Sequence, residues 1–182
     1  MTKYERLVAV ATAFIVAGFV GWIYETCIGI IETGSFDWDH GGIGIPFLQI
    51  YGFGAALIEL LLGKEGGLRE KPIPCFFAIC LLTAVLEYGA GAAMLYGMGA
   101  QTWDYRAPGW DFLCTPDGLL CLRGVLSFAV LGIILLYLID PAARKLRKMN
   151  TRVFDTIVWV LVVIIFASIV YSYAFSGTQA FK

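Results

Sequence analysis

The chain has 182 residues, 59% of them hydrophobic and 15% charged, with a mean hydropathy of +0.79 and a net charge of −1. That balance excludes an ordinary soluble domain of this length and makes the chain an integral membrane protein. Its few basic residues are clustered, not strung along a groove with interleaved aromatics, which excludes nucleic acid as a partner.

Five segments approach the ~20 apolar residues that a crossing needs, at about 7–31, 45–63, 73–99, 118–139 and 153–175. The first is too long for a signal-peptide core and no small-residue cleavage pattern follows it, so it is read as a mature helix. The fifth carries no charge from Thr156 to Phe181, whereas each of the others holds an ionisable residue inside or at its edge. The fold class predicted is an all-α membrane protein, one membrane domain of five transmembrane helices over 1–182.

The connections between these segments differ in charge. Lys3 and Arg6 precede the first segment, Lys64, Arg69 and Lys71 follow the second, and Arg144, Lys145, Arg147, Lys148 and Arg152 separate the fourth from the fifth. The two remaining loops hold Glu32, Asp37, Asp39, Asp104, Asp111 and Asp117, opposed by Arg106. The positive-inside rule then gives an amino terminus in and a carboxyl terminus out. The basic stretch also suits anionic lipid headgroups, although it serves equally as a topology anchor.

With that orientation, helical rise sets depth. Glu25 lies about two turns or less below the outer surface, Glu87 about three turns, and Arg123, Gln49 and Tyr51 about a turn and a half, while Glu59 falls toward the inner side. An unpaired charge at such depth costs about 2.5–3.5 kcal/mol on insertion scales, so these groups are expected to face a partner or a wet cavity. The predicted site is an outward-facing polar pocket of Glu25, Glu87 and Arg123, supported by Gln49, Tyr51, Asp104 and Tyr105. Arg123 would hold an anion or one of the glutamates, and a glutamate would exchange a proton or bind a cation. A structural ion pair with no ligand is the competing account of the same residues.

Two stretches re-enter the apolar phase in similar fashion. "GGIGIPFLQIYGFGAALIE" begins with three glycines and Pro46, and "TPDGLLCLRGVLSFAVLG" with Pro116, Asp117 as a cap, and Gly118. Each follows a segment with a buried glutamate and a loop containing Trp and Asp, which suggests a parallel two-helix repeat with the fifth helix added. The same glycines and prolines also serve simply to mark helix starts.

His40, the only histidine, excludes histidine-cluster metal sites, and a solvated loop position accounts for it. Trp38, Trp103, Tyr105 and Trp110 read as an interfacial aromatic belt. Cys114 and Cys121 flank Pro116 at the outer edge, where both a disulfide and free thiols fit. No cofactor is called for by any motif.

The ordered set "GWIYE", "PFLQIYGFGA", "LEY", "WDY" and "CLRGVLSFAVLG", spread from about residue 15 to 141, resembles a bacterial integral membrane family labelled putative ABC-transporter type IV permease. The resemblance implies a multi-pass component of the bacterial cytoplasmic membrane with a transport role. Leu48, Gln49 and Ile50 stand where the family has proline and isoleucine before its "YGFGA" box, and Gly124 follows Arg123 where phenylalanine is common. The fifth helix lies outside the resemblance. The chain has no "GxxxxGK[ST]" phosphate loop, so any ATPase would be a separate subunit, and its short inner loops favour an uncoupled or ion-coupled carrier. A homo-oligomer is expected because five helices enclose little cavity. An intramembrane enzyme or a lipid-binding accessory subunit built on the same residues is the alternative function.

Overall fold

The computed structural model describes residues 1–39, 41–106 and 111–175. His40 and Trp110, and the side chain of Glu32, lie outside the described residues. Among those described the chain is helical and has no β-strand. Helix α1 is Lys3–Thr33 and α2 is Gln49–Leu62. Helix α3, Pro72–Ala92, is prolonged by a π-helical turn, Ala93–Gly97. Helix α4, Leu122–Ile134, passes through a second π turn, Leu135–Ile139, into α5, Asp140–Met149, and α6 is Thr151–Phe175. Four helical stretches are long and apolar enough to cross a membrane, and α2 is a shorter apolar helix.

Local chemistry fixes the boundaries. Thr2 and Glu5 form a capping box at the start of α1, and Gly34 ends it at φ 70°. Pro72 starts α3, where its missing N–H is no loss. A single extended residue, Asn150, separates α5 from α6, and its side chain accepts a hydrogen bond from the Val153 N–H at 3.2 Å.

Two predicted spans differ from the observed ones. The second segment becomes helical only at Gln49, giving a helix of 14 residues, about 21 Å long, instead of a full crossing from about residue 45. Residues 41–48 form no helix, yet Gly41, Ile43 and Phe47 are buried, and the Leu48 N–H donates to the carbonyl of Gly18, midway along α1. Glycine and Pro46 therefore do more than mark a helix start. They make an irregular segment bonded to the protein through the N–H groups of Gly42, Gly44, Phe47 and Leu48, in keeping with non-helical chain that is buried in protein.

The fourth segment starts at Leu122, not 118, because Pro116–Gly118 forms a turn in which the Asp117 carboxylate accepts from the Thr115 hydroxyl and the Leu119 N–H. At its other end it does not stop at 139 but runs to Met149, so most of the basic stretch is helix and not loop.

Small residues bring the helices together. Gly18 and Gly52 accommodate the Phe47 ring, Gly21 the Tyr51 ring, Gly91 Trp103 and Leu119, and Gly132 Ile79. One core joins α1, α2, α3 and α4 through Ala13, Ile58, Ile79 and Ala129, and a second places Phe14, Phe47 and Ile165 together, docking α6 on α1. The Phe14 ring lies 5.0 Å from Phe47 and 5.6 Å from Phe166. The start of α1 is tied to the end of α2 by Arg6, which donates to the Leu60 carbonyl at 2.6 Å.

Candidate functional site

Near the acidic-loop end, four helices and one loop bring two glutamates and two tyrosines together. Glu25 stands one helical turn beyond Gly21 on α1. Because Gly21 has no side chain, the Tyr51 ring of α2 lies flat against α1. The same ring packs on Phe128 of α4 at 4.9 Å and on Tyr24 at 6.4 Å, and its hydroxyl donates to Glu25 Oε1. A second pair repeats the chemistry with different parts. Glu87 of α3 is 3% exposed, and its Oε1 accepts from the hydroxyl of Tyr105, which comes from the loop before α4. Gly124 makes that approach possible, since a Cβ there would lie 3.3 Å from both Glu87 Oε1 and the Tyr105 hydroxyl. The two pairs are within electrostatic reach of each other, Glu25 acting on Glu87 and Tyr105 on Tyr51.

Glu87 Oε2 has no hydrogen-bond partner although it is buried. A carboxylate oxygen in that condition carries its full desolvation cost, about 1–3 kcal/mol or more for a charged group, unless a proton or a ligand meets it.

Several described residues of the loop that delivers Tyr105 are tied together. Cys114 and Cys121 are joined by a disulfide, and the Tyr105 carbonyl lies 3.5 and 3.7 Å from their sulfurs. The Tyr105 N–H donates to the Gly118 carbonyl at 2.9 Å, and Trp103 Nε1 donates to the Leu119 carbonyl at 3.0 Å. Burial, and then the neighbouring Glu87 carboxylate, push the Tyr105 phenol above its ordinary value, so it remains a hydrogen-bond donor. Asp104 is clipped to Arg106, whose guanidinium holds that carboxyl at about 2.

Of the predicted site residues, the structure brings together Glu25, Tyr51, Glu87 and Tyr105. Tyr105 is half-buried, with its hydroxyl on Glu87. Arg123 is half-buried in the first turn of α4, and Glu87 Oε1 is bonded by the Tyr105 hydroxyl. Gln49 opens α2 half-buried, and Asp104 is exposed and turned to Arg106.

Sequence reasoning missed a second charged region, at the basic end. Asp140 pairs with Arg69 at 2.6 Å and with Arg144 at 2.8 Å, Arg147 pairs with Asp155 at 2.7 Å, and Arg144 also reaches Glu65 at 3.0 Å. Arg147 additionally lies over the Tyr4 ring and within 3.6 Å of Glu5. The signal was the four-residue spacing of Asp140 and Arg144, which puts both on one helix face. An open cavity of about 240 Å³ lies among Glu5, Thr12, Glu65, Asp140, Arg144 and Arg147.

A family model described as Putative ABC-transporter type IV matches residues 12–173, and the chain belongs to that family. The match takes in α6, which the motifs seen in the sequence alone had left out. No curated protein and no solved structure matches the chain.

Proposed function

For a member of this family, we propose that the chain is a membrane transport component for a small polar or ionic solute, with Glu25 and Glu87, each held by a tyrosine, as the solute-binding pair. The observation that carries this reading is the buried, partnerless Oε2 of Glu87 beside a second carboxylate. Such an oxygen accepts a proton or a hydrogen-bond donor, so the chemistry favours a cation, a protonated amine or a proton over an anion. Tyr51 holds Glu25 Oε1 and Tyr105 holds Glu87 Oε1, and Glu87 Oε2 is left to discriminate. Arg123, Gln49 and Asp104 are supporting residues of the entrance.

The charge bias of the loops supports a multi-pass arrangement in a bacterial cytoplasmic membrane, amino terminus in and carboxyl terminus out, which places the glutamate pairs in the outer half. Lipid surrounds the apolar exterior, and a homo-oligomer would enlarge the enclosed space. A nucleotide-hydrolysing motor would be a separate chain, and the surface it would meet is α5, where Lys145 and Lys148 project beyond the apolar spans.

Purified protein in liposomes loaded with a pH-sensitive dye tests the proposal. Na⁺, K⁺ and a panel of small primary and quaternary amines would be added in turn. Movement of at least one, lost in Glu87→Gln and kept in Asp111→Asn, is the expected result. Movement that survives Glu87→Gln refutes the site, and conversion of lipid without any flux refutes transport in favour of an enzyme.

A further inference from the structure

Two buried side-chain oxygens among the described residues accept no hydrogen bond, and the second belongs to Glu59, at the opposite end of the bundle from Glu87. Glu59 lies in the last turn of α2 and is 1% exposed, more deeply covered than Glu87. Its chain position explains the burial. Gly63, one turn on, offers no side chain, and a Cβ there would collide with the Glu59 carboxylate, so the carboxyl is folded back against its own helix end.

The guanidiniums around it make their shorter bonds to other acceptors. Arg144 approaches Glu59 Oε1 at only 3.5 Å, at the long limit of a hydrogen bond, because its Nε is shared between both oxygens of Asp140 at 2.8 and 2.9 Å and its Nη1 is on Glu65 at 3.0 Å. Arg69 is salt-bridged to Asp140 at 2.6 Å and donates to the Gly63 and Leu136 carbonyls. Arg6, from α1, donates to the Leu60 carbonyl. Asp140, from α5, adds a like charge. Glu59 therefore holds one long contact, from Arg144 to Oε1, while Arg6 and Arg69 bond other acceptors, and its Oε2 has no hydrogen-bond partner.

We propose that Glu59 is an inner proton-binding site, which exchanges its proton with water from the cavity of about 240 Å³ at the basic end, at the edge marked by Arg144 and Asp140. This inference stands on its own observation and does not depend on the solute site. A proton is the one ligand small enough for a carboxyl with 1% exposure, and the cavity bounded by Arg144, Asp140 and Glu65 brings water to the groups that touch it.

On the other side the site is insulated. Between Tyr51 and Glu59, eight residues or about 12 Å apart along α2, lies an apolar cavity of about 80 Å³ lined by Ala17, Gly54, Ile58, Phe128 and Leu135. Thr83 faces it, but its hydroxyl is turned to the carbonyls of Ile79 and Cys80. An apolar cavity of this kind stays dry, so a proton on Glu59 exchanges with the basic end and not with Glu25 or Glu87 in this conformation.

Infrared difference spectroscopy of the protein in lipid nanodiscs, titrated from acid to alkaline, reads the site directly. The wild type should show a protonated-carboxyl C=O stretch that disappears on titration, is absent in Glu59→Gln and persists in Glu87→Gln. Asp140→Asn removes the like charge and releases Arg69 and Arg144, so Glu59 should bind its proton roughly tenfold or more weakly and the band should titrate at lower pH. A spectrum in which Glu59→Gln removes no band, or a band whose titration Asp140→Asn leaves in place, overturns the proposal. Because these readouts need no transported solute, they fail or succeed independently of the flux measurements.

Discussion

Tyr105→Phe isolates the hydrogen bond that organises the candidate site. The substitution removes one hydroxyl and leaves the ring, so the fit beside Gly124 is kept while Glu87 Oε1 loses its donor. Glu87 would then be a buried carboxyl with neither oxygen partnered, since Oε2 already has none. A hydrogen bond to a charged acceptor contributes about 1.5–3 kcal/mol and one to a neutral acceptor about 0.5–1.5 kcal/mol, so a loss of about 1–3 kcal/mol is expected. Equilibrium unfolding in mixed micelles, followed by circular dichroism, measures it. The same substitution in a Glu87→Leu background removes no such interaction and should be nearly neutral, giving a coupling of about 1 kcal/mol or more between the two residues. Equal cost in both backgrounds would show that the Tyr105 hydroxyl does not serve Glu87, and the construction of the site around that pair would be wrong.

Three further outcomes follow from the loop that carries Tyr105. Gly118 sits at φ 73°, where an added Cβ would meet the Asp104 carboxylate, so Gly118→Ala should destabilise by about 1–2 kcal/mol from backbone strain alone and release the Asp104–Arg106 clip, measurable as faster amide exchange at Tyr105. Because Arg106 lowers Asp104 from 3.8 to about 2, the stabilisation from that clip is present above the ordinary carboxylate value and is lost only as pH falls toward 2, so exchange at Tyr105 in the wild type should be insensitive to pH between 5 and 7 once the intrinsic rate is divided out. Cutting the Cys114–Cys121 disulfide in the double serine variant should cost roughly 2–3 kcal/mol by the chain-entropy argument for so short a loop and expose the 103–121 segment to protease. A variant with unchanged unfolding and cleavage would show that the bridge does not position Tyr105.

The sequence by itself determined the membrane character, the five helical stretches and the concentration of basic residues at one end, because these depend on composition, on uninterrupted apolar length and on where charge falls along the chain. It also reached Glu25, Glu87, Tyr51 and Tyr105, since ionisable groups in apolar segments are few enough to be found by inspection. Tertiary structure alone decided how they pair. Which tyrosine meets which glutamate depends on Gly21 and Gly124 letting rings approach other helices, and a glycine's value as empty space is defined only by what packs against it. The same holds for residues 41–48, where the Leu48 N–H finds the Gly18 carbonyl, and for Glu59, which keeps only a long contact to Arg144 because the arginines on α1, α5 and the turn at Leu68–Glu70 bond other acceptors more closely. Periodicity and charge are properties of the chain, whereas a hydrogen bond withheld is a property of three-dimensional competition.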